Sequence, residues 1–362
     1  MSKTESDKPR SISLIKRIIL FAAVIILAFS VISITITKIV YDKQFPRYER
    51  HDETVSANLR YQDLEAEYPR QLINFMSGKN ELQGYLYGLQ NDRGLIVVSH
   101  GIGGGADSYL PQITWFVDQG WRVLAYDSTG SFDSEGKTTR GFPQMLLDLD
   151  SLLTYVEEQP DLSELPVMLF GHSWGGYAVS TVLHYDHDIK GVASVAGADS
   201  PMEIVLEQGK SMMGSFIYIQ SPYLWLYQHL LFGQAASLSA SDAIISNDVP
   251  VMLIHGTEDE MVLFEGSSII ANMDKNLPDH VKLMICDQEK QNGHNSLFKS
   301  DEAIEYIDDI NVTYRALYDH HQQNIPYDVN QEFYASVDRD LAQQLDESFM
   351  QEIHSFYLEC LP

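Results

Sequence analysis

The sequence predicts an α/β fold in which a mostly parallel central sheet carries helices on both faces. Two observations lead to this prediction. Short apolar segments of strand length alternate with segments of helical spacing through most of the chain, and turn residues separate them. Strands joined in this way form βαβ units, whose crossover helices cover a parallel sheet.

The elements follow in order along the chain. A hairpin is predicted over residues 72–87, where two strand-like runs flank Gly78-Lys79-Asn80. Further strands are predicted at 94–99, 121–127, 166–170, 189–196, 251–254 and 281–285. Helical spacing is found at 109–119, 143–159 and 177–184.

Composition sets broad limits on the function. The chain has 362 residues, 44% of them hydrophobic, which is enough for a sizeable core. Its 24 basic and 51 acidic residues give a net charge of −27, which argues against nucleic acid as a partner. Two cysteines are too few for a disulfide framework. No metal or cofactor motif is found, and neither is predicted.

The N-terminus predicts a membrane anchor. Residues 18–37 carry no charge, and a helix of that length crosses the roughly 30 Å apolar core of a bilayer. We assign 1–17 to a short basic tail, 18–40 to the anchor and 41–70 to a charged stalk. A cleaved signal peptide with a small-residue site at 27–30 is the alternative, although the apolar run continues past it. A short N-terminus before a large C-terminal domain predicts a single-pass cell-membrane protein with that domain outside, although the basic residues on the two sides of the apolar run barely discriminate between the two orientations.

Two further stretches interrupt the alternation. Residues 211–241 contain no Asp, Glu, Lys or Arg, and we expect a helical lid insertion over about 200–247. A second membrane span there is rejected, because it would put the two halves of the sheet on opposite sides of the membrane.

Residues 301–362 carry 14 acidic residues against two arginines. They are predicted to form an acidic helical C-terminal extension beyond a core of 71–300.

A candidate nucleophile lies between a predicted strand and a predicted helix. The segment Gly171-His172-Ser173-Trp174-Gly175-Gly176 follows the strand at 166–170. A serine in a G-x-S-x-G turn of this kind projects its hydroxyl at the carboxyl end of the sheet. Ser173 is therefore the predicted nucleophile.

A serine nucleophile needs a base and a group that orients it. Asp259 follows the strand at 251–254, while Glu258 and Asp199 are alternatives for the acid. His294 follows a glycine in the loop after the last predicted strand. His100, His172 and His255 lie at other strand ends and are expected to brace loops.

An oxyanion formed during acyl transfer needs preorganised donors, usually backbone amides. One is expected from Trp174, directly after the nucleophile. The other is expected from Ile102, in the glycine-rich loop that follows the strand at 94–99.

These motifs together resemble the α/β-hydrolase superfamily, in the branch of serine-aminopeptidase-like hydrolases, monoglyceride lipases and lysophospholipases. The motifs are SHGIGGG, GHSWGG, HGTEDEMV and NGH, and the resemblance covers roughly residues 70–300. It implies the α/β-hydrolase fold and its Ser–Asp–His order. The loop after Asp127 departs from the branch, with Phe132 where a glycine is usual.

The residues predict a membrane-anchored serine hydrolase that cleaves an ester through an acyl-enzyme. The uncharged lid favours a small or lipid-like acyl substrate. A serine aminopeptidase or amidase is an alternative, with Glu203 and Glu207 near the site for a substrate ammonium group. A catalytically idle hydrolase fold used as a surface interaction module is another.

Overall fold

The computed structural model of the protein describes residues 14–273 and 277–361. The first 13 residues of the predicted basic tail lie outside this part of the chain. Eight strands form one sheet in the order β1-β2-β4-β3-β5-β6-β7-β8. The strands are β1 Arg70–Ser77, β2 Asn80–Tyr87, β3 Leu95–Ser99, β4 Arg122–Tyr126, β5 Val167–His172, β6 Ile189–Val195, β7 Val251–Gly256 and β8 Val281–Cys286.

The β1–β2 hairpin adds to β4 in antiparallel orientation, and all other neighbouring strands are parallel. Every residue of β3, β5 and β7 is buried, as expected for strands covered on both faces. The predicted α/β-hydrolase fold with a mostly parallel sheet is therefore confirmed.

Helices cover both faces of the sheet. One face packs against α4, α6 and α9, and the other against α3 and the last helix of the chain. The helices are α1 Leu14–Gln44, α2 Tyr61–Leu64, α3 Leu110–Asp118, α4 Pro143–Glu158, α5 Pro160–Ser163, α6 Trp174–Thr181, α7 Pro201–Met213, α8 Ile217–Phe232, α9 Ala240–Ile245, α10 Ile269–Asn272, α11 Asp301–His320, α12 Tyr327–Ala335, α13 Arg339–Ala342 and α14 Glu347–Glu359.

The core extends beyond its expected end at residue 300. Helix α14 buries Met350, Ile353 and Tyr357 in the cluster that covers one face of the sheet. The Tyr357 hydroxyl donates to the carbonyl of Leu169 in β5 at 2.7 Å. The spacing of these apolar residues places them on one helix face, and the acidic residues of the segment lie on the other side.

The predicted stalk also packs on the domain. Helix α1 continues to Gln44, and the Tyr48 amide then donates to the carbonyl of Gly130 at 2.9 Å. The Arg50 guanidinium contacts Asp107 at 2.5 Å and Asp133 at 2.7 Å. Residues 41–70 are thus bound to the domain surface and do not form a free spacer.

The insertion between β6 and β7 comprises α7, α8 and α9. Its second helix, α8, packs directly against α1. The uncharged segment 211–241 therefore contributes a helix that contacts the apolar N-terminal helix.

Candidate active site

Ser173 lies on a strained turn between β5 and α6. Its backbone has φ +58° and ψ −114°, a region that residues with a side chain rarely occupy. A Cβ added to Gly171 would lie 2.3 Å from the carbonyl oxygen of Gly175. A Cβ added to Gly175 would lie 2.0 Å from the carbonyl oxygen of Ser99. Glycine at both positions allows this turn to pack against the end of β3.

Gly175→Ala is expected to lower the free energy of unfolding by about 3 kcal/mol, because the new methyl group meets rigid backbone. Thermal and urea unfolding in mild detergent measure this change. Gly209→Ala in α7 is the matched control, since its Cβ meets only the side chain of Ile217. Equal stability of the two variants would contradict this account of the turn.

The structure brings His294 and Asp259 together. The His294 Nδ1 atom lies 2.7 Å from Asp259 Oδ2. The other carboxylate oxygen accepts the amides of Met261 and Val262, each at 2.8 Å. Both side chains are buried. The pair can therefore hold the His294 ring in one orientation, with Nδ1–H donating to the carboxylate.

Asp259 is kept ionised by its partners. Burial alone would raise the pKa of its carboxyl group. Hydrogen bonds from His255 and His294 outweigh burial and hold that pKa well below its ordinary value. The His255 Nε2 atom lies 3.1 Å from Asp259 and 2.8 Å from the carbonyl of Val262. His255 thus braces the loop that carries the acid.

The two alternative acids lie elsewhere. Asp199 accepts the amide of Ser241 at 2.7 Å and is bound to the start of α9. The Glu258 side chain is exposed. Within the described residues, neither carboxylate contacts His294, so geometry selects Asp259 as its partner.

Ser173 is nine-tenths buried, and its hydroxyl has no hydrogen bond to His294 within the described chain. The adjacent residue links the two loops instead, because His172 Nε2 lies 3.0 Å from the carbonyl oxygen of His294. Nucleophile–base contacts are often loose before substrate binds.

The two predicted oxyanion donors have free backbone amides. Trp174 is the first residue of α6, where helix geometry leaves the amide without an internal acceptor. Ile102 lines the same cavity as Ser173. In residues 14–273 and 277–361, neither amide donates to a protein group. Both remain available to a ligand oxygen.

A buried chain of hydrogen bonds connects the three loops of the site. The Tyr109 hydroxyl accepts the Gly101 amide at 3.0 Å and lies 2.7 Å from His172 Nδ1. Since His172 Nε2 faces the His294 carbonyl, it must carry the proton, and Nδ1 accepts from Tyr109. His172 was expected to brace a loop. Sequence reasoning missed Tyr109, which lies at the start of the helix after the glycine-rich loop.

The burial of His172 makes folding stability sensitive to acid. Burial, reinforced by the nearby His294, lowers the pKa of His172 to about 3, against 6.5 for an ordinary histidine. Between these values the unfolded chain binds a proton that the folded chain does not, so stability falls as pH decreases from 6.5. His172→Gln should reduce this slope by about 1.4 kcal/mol per pH unit, as measured by urea unfolding at pH 5–6. An unchanged slope would contradict the neutral, buried state of His172.

Phe132 occupies the position where the family pattern has a glycine. It adopts φ +41° and is buried. A Cβ on Gly105 would lie 2.4 Å from the ring, and the Arg50 guanidinium lies 5.0 Å from the ring centroid. The ring therefore fills space between the glycine-rich loop and residues 41–70.

A cavity of about 310 Å³ lies beside Ser173. Its lining residues come from α1 and the segment after it, from α7 and α8, and from the loops of the catalytic face. None of them is charged. They include Ile36, Thr37, Val40, Tyr41, Phe45, Ile102, Phe142, Val205, Met212, Met213, Ile217, Leu224 and Met261.

Comparison with known proteins agrees with the fold. Residues 90–233 match the family model described as serine aminopeptidase, S33. The uncharacterized protein YfhR of Salmonella typhi is 25% identical over 183 residues, which cover 49% of this chain and 58% of YfhR. The polyketide transferase af380 of Aspergillus fumigatus is 27% identical over 117 residues, or 32% of this chain and 40% of that protein. The chain thus spans little more than half the length of YfhR.

Among solved structures, an esterase of Pyrococcus furiosus, PF2001, superimposes with a TM-score of 0.51 at 17% identity. The match covers 75% of this chain and 95% of the esterase. At this identity the likeness concerns the fold. The sheet of this chain and its strand–turn–helix at Ser173 are those of the α/β-hydrolase fold, and residues 90–233 are similar to the serine aminopeptidase S33 family.

Proposed function

We propose that this hydrolase is a membrane-anchored serine esterase that works through an acyl-enzyme. The observation that carries the proposal is the buried Asp259–His294 pair. The carbonyl oxygen of His294 contacts His172, the residue before Ser173 on its strained turn. An uncharged cavity adjoins the same serine.

In the proposed mechanism, His294 Nε2 takes the Ser173 hydroxyl proton as Oγ attacks the ester carbonyl. The amides of Ile102 and Trp174 hold the oxyanion of the tetrahedral intermediate. The imidazolium then gives its proton to the leaving alcohol, and an acyl-Ser173 ester remains. Water, deprotonated by His294, attacks this ester and releases the carboxylic acid and free Ser173.

The surroundings of the cavity favour an apolar acyl ester over a peptide N-terminus. An aminopeptidase would need a free carboxylate for the substrate ammonium group. Glu207 accepts the Ser267 amide and hydroxyl, each at 2.8 Å, and Glu203 accepts Asn272 at 3.0 Å. Among the described residues, neither glutamate lines the cavity. Amide hydrolysis is the second candidate because of the family description.

We also propose that α1 is an uncleaved anchor and that the catalytic domain lies outside the cell. Helix α1 is long and apolar enough to cross a membrane, a property it shares with signal sequences near an N-terminus. The anchor is supported by its unbroken continuation to Gln44 and by the packing of Thr37 and Tyr41 on the domain. N-terminal sequencing of membrane-extracted protein tests cleavage, and protease accessibility of the domain in intact cells tests orientation.

The enzymatic proposal is tested by labelling the full chain with a fluorophosphonate and locating the label by mass spectrometry. The expected result is a single adduct on Ser173. A panel of acyl esters, monoacylglycerols and aminoacyl amides then ranks the substrates, with esters expected to lead. Preferential turnover of aminoacyl amides would favour the amidase. Absence of both label and turnover would support an idle interaction module.

A further inference from the structure

The apolar helix α1 is joined to α8 by specific contacts. The Thr37 hydroxyl donates to Gln220 at 3.4 Å, and the Tyr227 hydroxyl donates to Asp42 at 2.7 Å. Tyr41 packs edge-to-face on Tyr227. The two helices therefore pack as one unit, and both line the cavity beside Ser173.

The contact continues along the apolar segment of α1. The Tyr223 hydroxyl lies 3.1 Å from Ser30 Oγ, and its ring packs on Phe29. Ser30 precedes Lys38, the first charged residue after the uncharged run, by eight residues, or about 12 Å of helix. If α1 spans the bilayer, the Tyr223 side chain reaches below the membrane surface.

The outer surface of α8 is suited to lipid. The exposed residues of this helix are all apolar or aromatic, whereas its glutamines, Gln220 and Gln228, are buried. A helix on a water-exposed surface has the opposite pattern. The exposed residues are Tyr218, Ile219, Pro222, Trp225, Leu226 and Leu230. Because α8 packs against α1, which also exposes many apolar residues, a single bilayer can cover both helices.

The cavity beside Ser173 lies against these same helices. Ile36, Thr37 and Val40 of α1 form part of its wall, and Ile217 and Leu224 of α8 form another part. The anchor is thus a component of the pocket as well as a tether.

We propose that α1 and α8 together form the acyl-binding pocket, with the outer face of α8 lying in the bilayer, and that the substrate is an acyl ester of a membrane lipid. This inference rests on the proposed esterase function and on the proposed anchor. It assigns Val40 and its neighbours a role in selecting the acyl chain, which would enter from the lipid phase. An enzyme whose substrates were soluble esters would show no such preference for long acyl chains.

The first test uses the full chain in lipid nanodiscs. Val40→Trp, which fills the pocket from α1, should lower the kcat/KM ratio of a dodecanoyl to a butanoyl ester at least tenfold. Ile39→Trp is the matched control, because Ile39 is half-exposed on α1 and does not line the cavity. It should keep the wild-type ratio. An unchanged ratio in Val40→Trp, or an equal fall in both variants, would overturn the pocket.

The second test does not depend on activity. Trp225 is 52% exposed, whereas Trp121 and Trp174 are fully buried. Phospholipids brominated in their acyl chains should quench part of the tryptophan fluorescence of the wild-type protein, and Trp225→Phe should remove that part. Equal quenching of the two proteins, or no quenching, would overturn the bilayer placement of α8. If Ser173 neither labels nor turns over ester, the proposed function fails with the pocket; normal turnover with unaltered chain selection overturns the pocket alone.

Discussion

Ser173→Ala is expected to lower kcat for ester hydrolysis by about 10⁶-fold, which leaves only the residual rate that binding and oxyanion contacts sustain. The reason is the geometry of the turn. With φ at +58°, Ser173 is held at the end of β5, beside the free amides of Ile102 and Trp174. No hydroxyl can reach the same point from a neighbouring residue, since His172 and Trp174 flank it.

The measurement is single-turnover and steady-state hydrolysis of an acyl ester by full-length protein in mild detergent. The alanine variant should also lose fluorophosphonate labelling while it keeps the wild-type melting temperature. Ser151→Ala is the control, because the Ser151 hydroxyl donates to the carbonyl of Leu147 within α4, away from the candidate site. Turnover by Ser173→Ala above one-thousandth of the wild-type rate would contradict the nucleophile assignment.

The strands were predictable because their signal is local. The run at 251–254 is observed as Val251–Gly256, and the hairpin around Gly78 pairs Ser77 with Asn80 as its closing residues. The same locality explains Ser173 and Asp259. Ser173 directly follows β5 and Asp259 lies three residues after the end of β7. The parallel topology fixes the carboxyl ends of both strands, so the position in the sequence nearly determines the position in the site.

The features that sequence reasoning missed depend on contacts between distant segments. Tyr109 and His172 are 63 residues apart, and nothing in either segment indicates their hydrogen bond. The contact of Tyr223 with Ser30 joins residues 193 apart. Helix α14 was placed outside the core because the acidic charge of residues 301–362 obscured the periodic apolar face that contains Ile353.

Asp259→Asn is expected to lower kcat by about 10⁴-fold while leaving substrate binding nearly unchanged. The amides of Met261 and Val262 both require an acceptor at Oδ1, which fixes the orientation of the asparagine amide. Its NH₂ group must then face His294. A neutral imidazole beside that donor presents Nδ1 as an acceptor and carries its proton on Nε2. It can no longer take the proton of Ser173.

This explanation predicts that Asp259→Asn lowers kcat and leaves the folded structure intact. Melting temperature and fluorophosphonate labelling rate, followed between pH 6 and 9, separate the two effects, and labelling should fall in parallel with turnover. Glu258→Gln is the matched control, because its exposed carboxylate lies one residue away and does not contact His294. It should retain wild-type kcat within about twofold, as surface changes usually do. A tenfold or smaller effect of Asp259→Asn would mean that another carboxylate, Glu258 or Asp199, orients the base, even though the observed 2.7 Å bond joins His294 to Asp259.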